Sequence, residues 1–114
     1  ARTIAKEGMS LSTFLALTNT SRVLEDLRQL RAFGASTDPP LVSRLALTDA
    51  DLEVRRWVAA RMESAGLRGV QLDGMGSVYG SAGVDNAPAL LLGAHTDTYA
   101  QSHWLEGALG IVYA

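Results

Sequence analysis

The 114-residue chain has no cysteine. Disulfides, thiolate metal sites and cysteine nucleophiles are therefore excluded, and any metal it holds must be bound by His, Asp or Glu. It also lacks an excess of either charge. Ten Lys and Arg against twelve Asp and Glu leave a net charge of −2, with no like-charge block, so nothing is arranged to neutralise phosphates and no nucleic-acid partner is expected. Long apolar runs are missing too. No window approaches the roughly 18–20 residues of a bilayer span, and the stretch from Met9 to Leu17 is short and broken by Ser10, Ser12 and Thr13. It reads as a bland N-terminal segment rather than a secretory signal, and the protein is expected to be soluble and cytoplasmic, without a membrane partner. Proline is scarce, at three positions, while 47% of residues are hydrophobic and 19% charged, the balance of a chain that buries a core rather than staying disordered.

What is present divides into residues 1–20, an N-terminal segment in which Ala1–Gly8 is open to being a remnant of processing or cloning, and residues 21–114. From Ser21 to Phe33 the apolar Val23, Leu24, Leu27 and Leu30 recur at helical spacing among charged residues. Ser21 is the expected cap, which also explains the glycosylation-like triplet Asn19-Thr20-Ser21, and Gly34 the residue past the end. Ala35 to Arg44, with Asp38-Pro39-Pro40, reads as a surface loop. Thr48-Asp49-Ala50-Asp51 resembles a capping box, opening a helix whose Val54, Trp57, Val58, Arg61, Met62 and Ala65 form one stripe. Asp51 and Arg55 stand at i and i+4, Gly66 ends the helix, and Trp57 and Met62 are expected core anchors.

Beyond Gly66 the period becomes two. Val70–Asp73 and Ser77–Ser81 flank Gly74-Met75-Gly76 and predict a hairpin or neighbouring strands. The glycines at 74, 76 and 80 have the wrong spacing for a nucleotide loop, and no helix follows. Ala82–Pro88 reads as a polar loop, the apolar Ala89–Ala94 as a strand covered on both faces, and Gly107–Ala114 as a buried helix packed on that sheet. His95-Thr96-Asp97-Thr98 then falls at the carboxyl edge, where open α/β folds place ligands. In extended backbone His95 and Asp97 share a face, and a carboxylate beside an imidazole fixes its tautomer. Glu106, eleven residues on, is near enough in sequence to join them. Spacing alone leaves two readings open: a metal-type ligand site, or a histidine bonded to a backbone carbonyl beside a turn-capping Asp97 and a solvated Glu106.

The run Leu91–Thr98 followed by Trp104–Tyr113, together with Ser43–Leu52, Met62–Leu67 and Asp73–Gly80, resembles the M20-type metallopeptidase and amidohydrolase superfamily. Within it, the match is to the hydantoinase/carbamoylase branch, which includes N-carbamoyl-L-amino-acid hydrolases, β-ureidopropionases and allantoate amidohydrolases. The resemblance implies an α/β fold: the N-terminal part of an α/β/α metallohydrolase catalytic domain, two helices followed by strands of a mixed sheet. It implies that His95 binds one metal, that Asp97 is the catalytic-site aspartate orienting it, and that Glu106 holds the position of a carboxylate bridging two divalent ions, zinc or manganese with cobalt also suited. Three differences stand out. Glu106 replaces the usual aspartate, Ser102-His103 replaces two glycines, and Ser77 replaces an asparagine. His103 has two readings, a substitute ligand or an exposed loop histidine.

The family's general-base glutamate, later histidine ligands, substrate-carboxylate arginine and dimerisation domain would all fall beyond Ala114. The chain is therefore expected to be a fragment of a hydrolase of N-carbamoyl (ureido) or related amide bonds, inactive alone. The alternative is a non-catalytic interaction protein derived from the same fold. Its expected partners are a small ureido or amide substrate once the site is completed, and either further copies of itself or a chain supplying the rest of the fold.

Overall fold

The structure, a computed structural model, describes Ser10, Ser12 and residues 19–114. The expectations for residues 1–20 otherwise lie outside the described residues. Among the described residues there are three helices, α1 (Thr20–Ala32), α2 (Asp49–Ser64) and α3 (Leu105–Tyr113), and a hairpin of β1 (Arg68–Leu72) and β2 (Val78–Ser81) that packs against α2. No helix among the described residues is long and apolar enough to cross a membrane.

Helix α1 begins one residue earlier than expected, and its cap is Asn19 rather than Ser21. The Asn19 side chain accepts from the Arg22 backbone N–H at 3.0 Å, satisfying one of the donors that a first turn leaves unpaired. At the other end Gly34 takes a left-handed φ of 75°, and a Cβ there would stand 2.5 Å from the Ser43 carbonyl oxygen. Only glycine fits that reversal.

The capping box of α2 takes a different form from the expected one. Thr48 is the N-cap residue but makes no side-chain cap bond, because its hydroxyl donates back to the Leu45 carbonyl at 2.6 Å. Asp51 instead accepts from the Leu47 N–H at 2.8 Å, one residue further back. The helix then ends on Gly66, at φ 87°.

The core lies where α1, α2 and α3 meet. Leu30, Val54, Val58 and Ala108 are buried, with Phe33, Trp57, Met62, Trp104 and Ile111 among the residues packed around them. Trp57 is thus the expected anchor, with the Phe33 ring centroid 6.1 Å away, and so is Met62. Across the helices, Arg61 bonds Asp26 at 2.7 Å. Ala65, placed on the apolar stripe by its spacing, is exposed at the helix end.

The hairpin forms as the period-two pattern predicts, antiparallel, with Leu72 opposite Val78 and Gln71 opposite Tyr79. Its turn is fastened by Asp73, whose carboxylate accepts from the N–H groups of Met75 and Ser77 at 2.9 and 2.8 Å. Of the expected mixed sheet, the described residues form this pair alone.

Ala89–Ala94 departs from expectation. It is neither strand nor buried: Leu90 and Leu91 are 83% and 94% exposed. A strand exists only by virtue of a neighbour that completes its ladder, and β1 and β2 bond to each other rather than to this segment. The apolar run records a tendency to be covered that no described residue satisfies. The helix expected from Gly107 does form, starting two residues earlier, and packs on α1 and on the backbone of residues 94–95 rather than on a sheet.

These environments separate two leucines by their cost of removal. Leu30→Ala should lower the unfolding free energy by about 2–5 kcal/mol, the range for a buried leucine. Leu91→Ala should change it by less than about 0.5 kcal/mol, as for an exposed side chain. Urea unfolding of both variants checks this, and equal effects would contradict the placement of the core.

Candidate metal centre

The segment from Ala94 to Thr98 is held in place without a sheet. Its residues alternate as extended backbone requires, Thr96 and Thr98 towards the interior, His95 and Asp97 towards solvent. On the inner side, the Thr96 hydroxyl donates to Asp51 Oδ1 at 2.7 Å, and the Thr96 carbonyl accepts from Arg44 Nε at 2.7 Å. The Thr98 N–H donates to the Arg44 carbonyl at 2.8 Å, while the Thr98 hydroxyl accepts from the Arg44 N–H at 2.9 Å. Val42 and Ser102 exchange both of their backbone bonds next to it, at 3.1 and 3.0 Å. The loop expected over residues 35–44 thus ends as a strap that carries the site segment.

Arg44 and Asp51 are buried ions, each with several hydrogen-bond partners. Arg44 also donates to the carbonyls of Leu30 and Phe33, at 2.8 and 2.6 Å, and so satisfies the end of α1. Its burial draws the guanidinium below its ordinary value, opposed by the charges of Asp51 and Asp97. For Asp51 burial is the largest influence and acts upward. Bonds from Arg55, the Leu47 N–H and Thr96, with the Arg55 charge, outweigh it and leave the carboxyl below the usual range.

On the outer side, His95 Nδ1 lies 3.0 Å from the Asp97 backbone oxygen and 3.4 Å from Asp97 Oδ1. That placement suits a proton on Nδ1, which leaves Nε2 as the acceptor nitrogen of the ring. The ring rests on the first turn of α3. A Cβ at residue 107 would stand 3.0 Å from His95 Cε1 and would clash with the His95 carbonyl oxygen, while one at residue 110 would stand 2.5 Å from Ala94 Cβ. Gly107 and Gly110 are therefore what let helix and segment touch.

His95, Asp97, His103 and Glu106 all line one open cleft of about 350 Å³ beside Trp104 and Tyr99. Glu106 enters it from the first turn of α3, and His103 from the exposed loop before that helix. The four share the cleft, yet among the described residues no three His, Asp or Glu side chains converge closely enough to hold a metal ion. The donor chemistry fits a divalent cation. The number of converging donors does not complete its shell.

Sequence reasoning assigned no role to Arg44, Asp51, Thr96 or Thr98 in carrying the site. The signal for the threonines was present in the alternation of 95–98, whose even members had to face something polar. The signal for Asp51 was its i,i+4 spacing to Arg55, realised as an ion pair of 2.8 Å.

Comparison with known proteins agrees with this architecture. No family model matches the chain. Allantoate deiminase 1 of Glycine max is 44% identical over 63 residues, covering 54% of this chain and 12% of that protein. The N-carbamoyl-L-amino-acid amidohydrolase of Paenarthrobacter aurescens is 32% identical over 95 residues, covering 82% of this chain and 22% of that protein. In structure, an amidase of the hydantoinase/carbamoylase family from Burkholderia phymatum superposes with a TM-score of 0.75 at 45% identity, over 83% of this chain and 22% of that one. The fold and the similarities together define an α/β fold of the amidohydrolase class. Within that class the chain belongs to the hydantoinase/carbamoylase branch. It spans between 12% and 22% of the length of these relatives.

Two outcomes follow from the geometry. In a free helix Gly107→Ala would gain about 1 kcal/mol of propensity. Here it should instead lose about 1–3 kcal/mol in thermal unfolding, the usual cost of overpacking, and a more stable variant would refute the contact with His95. Asp51 sets an acid dependence. An unfolded aspartate protonates near pH 4, above the lowered pKa of folded Asp51, so in that window the unfolded state binds the extra proton. The stabilisation is complete above the window and is lost as pH falls through the folded pKa. Asp51→Asn should be less stable at pH 7 and show a shallower fall on acidification, measured by urea unfolding from pH 7 to 2.5. Parallel curves would refute the ionised, bonded state of Asp51.

Proposed function

We propose that this chain supplies part of the binuclear metal site of a hydrolase of N-carbamoyl or related C–N amide bonds, and that it is inactive alone. The observation that supports this most strongly is that His95, Asp97 and Glu106 border one cleft, in a chain similar to an amidohydrolase of N-carbamoyl-L-amino acids. His95 would hold a divalent ion, zinc or manganese, through Nε2. Asp97 would keep the imidazole in the tautomer that exposes that nitrogen. Glu106 would contribute a carboxylate oxygen from α3, its longer side chain reaching further into the cleft than an aspartate would. A bound pair of divalent ions supplies polarisation of the scissile carbonyl and an acidified water.

The described residues provide this part of the donor set and the floor of the cleft. The missing ligands, the proton-transferring base and the substrate contacts would come from other residues, which is why hydrolysis is expected only from a complete fold. The exposed Leu90–Leu92 run is the surface on which such further structure would pack, whether from a continuous chain, another copy or a separate partner.

The test compares the 114-residue chain with a complete hydrolase carrying the same sequence. The chain should not hydrolyse an N-carbamoyl amino acid. The complete protein should do so with about two divalent ions bound, as a two-metal site requires. His95→Ala should remove both the metal and the hydrolysis. Metal content unchanged by that substitution would sink the assignment, and hydrolysis by the chain alone would sink its dependence on further residues.

A further inference from the structure

We infer that Thr96, Asp51 and Arg44 form a positioning device for His95 and Asp97, acting on the site through the backbone between the two exposed side chains. The inference rests on the reading that His95 presents Nε2 to a metal ion, and it adds three residues for which that reading has no role.

In an α/β fold a site segment is normally oriented by a neighbouring strand on each edge. Residues 93–98 have no such ladder among the described residues. The direction of the His95 and Asp97 side chains is set instead by the peptide groups around Thr96, and both polar groups of Thr96 are fixed. Its carbonyl is held by Arg44 Nε and its hydroxyl by Asp51 Oδ1, each at 2.7 Å. Two bonds to one residue, one at its side chain and one at its backbone, restrict its rotation about the chain axis. Because side chains alternate, a rotation at Thr96 would swing His95 and Asp97 away from the cleft together.

The holders are themselves immobile. Arg44 is 1% exposed and Asp51 is fully buried. Arg44 is committed to the α1 carbonyls of Leu30 and Phe33, and Asp51 to Arg55 and the Leu47 N–H. Their reference points are therefore the ends of two helices rather than a loop. Hydrogen-bonded partners behind metal ligands typically contribute about 10–100-fold to metal affinity. Here that contribution would pass through the main chain as well as through the Nδ1 contact with Asp97.

Thr96 allows a clean test, since Thr96→Val removes the hydroxyl at nearly constant shape and Thr96→Ser restores it. Zinc affinity of the 114-residue chain is measured by calorimetry for both variants and for His95→Ala. The imidazole nitrogens of His95 are followed by ¹⁵N NMR without metal, His103 being the only other histidine. Thr96→Val should weaken zinc binding about 10–100-fold and shift the His95 resonances towards those of a freely exchanging imidazole, with Thr96→Ser close to wild type in both. If His95→Ala abolishes zinc binding and Thr96→Val leaves it unchanged, the positioning role is overturned. Where His95→Ala leaves zinc affinity as it was, the metal reading is what fails, and where the wild-type chain takes up no zinc, the partial donor set by itself is too weak to hold the ion. The resonances then decide alone: coincident spectra of Thr96→Val and wild type overturn the inference, and a shift rescued by Thr96→Ser upholds it. Far-UV circular dichroism identifies loss of fold. If Thr96→Val is unfolded, the comparison moves to Thr96→Ala with Thr96→Ser as its control: a shift of the His95 resonances in Thr96→Ala that is absent in Thr96→Ser upholds the inference, and spectra of Thr96→Ala coincident with wild type overturn it.

Discussion

Two buried, opposite charges govern the arrangement of this small fold. Arg44 and Asp51 are inside, and an ion removed from water is tolerated only where its bonding capacity is filled. Arg44 directs its guanidinium to three carbonyl oxygens, from Leu30, Phe33 and Thr96. Asp51 accepts from the Leu47 N–H, the Arg55 guanidinium and the Thr96 hydroxyl. Meeting those demands brings together the end of α1, the entry to α2 and the segment that carries His95. Hydrogen bonds to charged groups contribute about 1.5–3 kcal/mol each, so this web rivals the four-residue buried core as a source of order.

The opposite side of the site segment is governed by size. Gly107 and Gly110 leave α3 bare where it meets Ala94 and His95, and the close approach seats an imidazole on the first helical turn. The same turn carries Glu106. A carboxylate and a histidine that are eleven residues apart thus enter one cleft because a helix can lie directly on backbone. The polar web beneath and the glycines above fix one short segment from both sides, which compensates for the strands that do not flank it.

Much of this was legible locally. Helical spacing located α1 and α2, period-two alternation located the hairpin, and Gly34 and Gly66 marked two helix ends, since each of these depends on near neighbours. The candidate site was legible as a set of residues, His95, Asp97 and Glu106, through spacing and family resemblance. Its support was not, because Thr96 meets Asp51 across 45 positions and Arg44 meets Thr96 across 52. The capping bonds differ from expectation for a related reason, that several nearby polar groups compete for the same donors: Asn19 caps α1 in place of Ser21, and Thr48 is the N-cap residue of α2 while Asp51 bonds the Leu47 N–H. The reading of Ala89–Ala94 failed because burial belongs to a pair of surfaces, and a sequence reports only one of them.

The sequence by itself determined the helices, the hairpin and the chemical types available to a site, because periodicity, turn residues and the absence of cysteine act within a few positions. Tertiary structure alone decided that Arg44 and Asp51 are buried, that both grip Thr96, and that His95 and Glu106 share a cleft. The physical reason is that a charge can be buried only where distant segments bring complementary groups to it, and those meetings exist only once the chain has closed on itself.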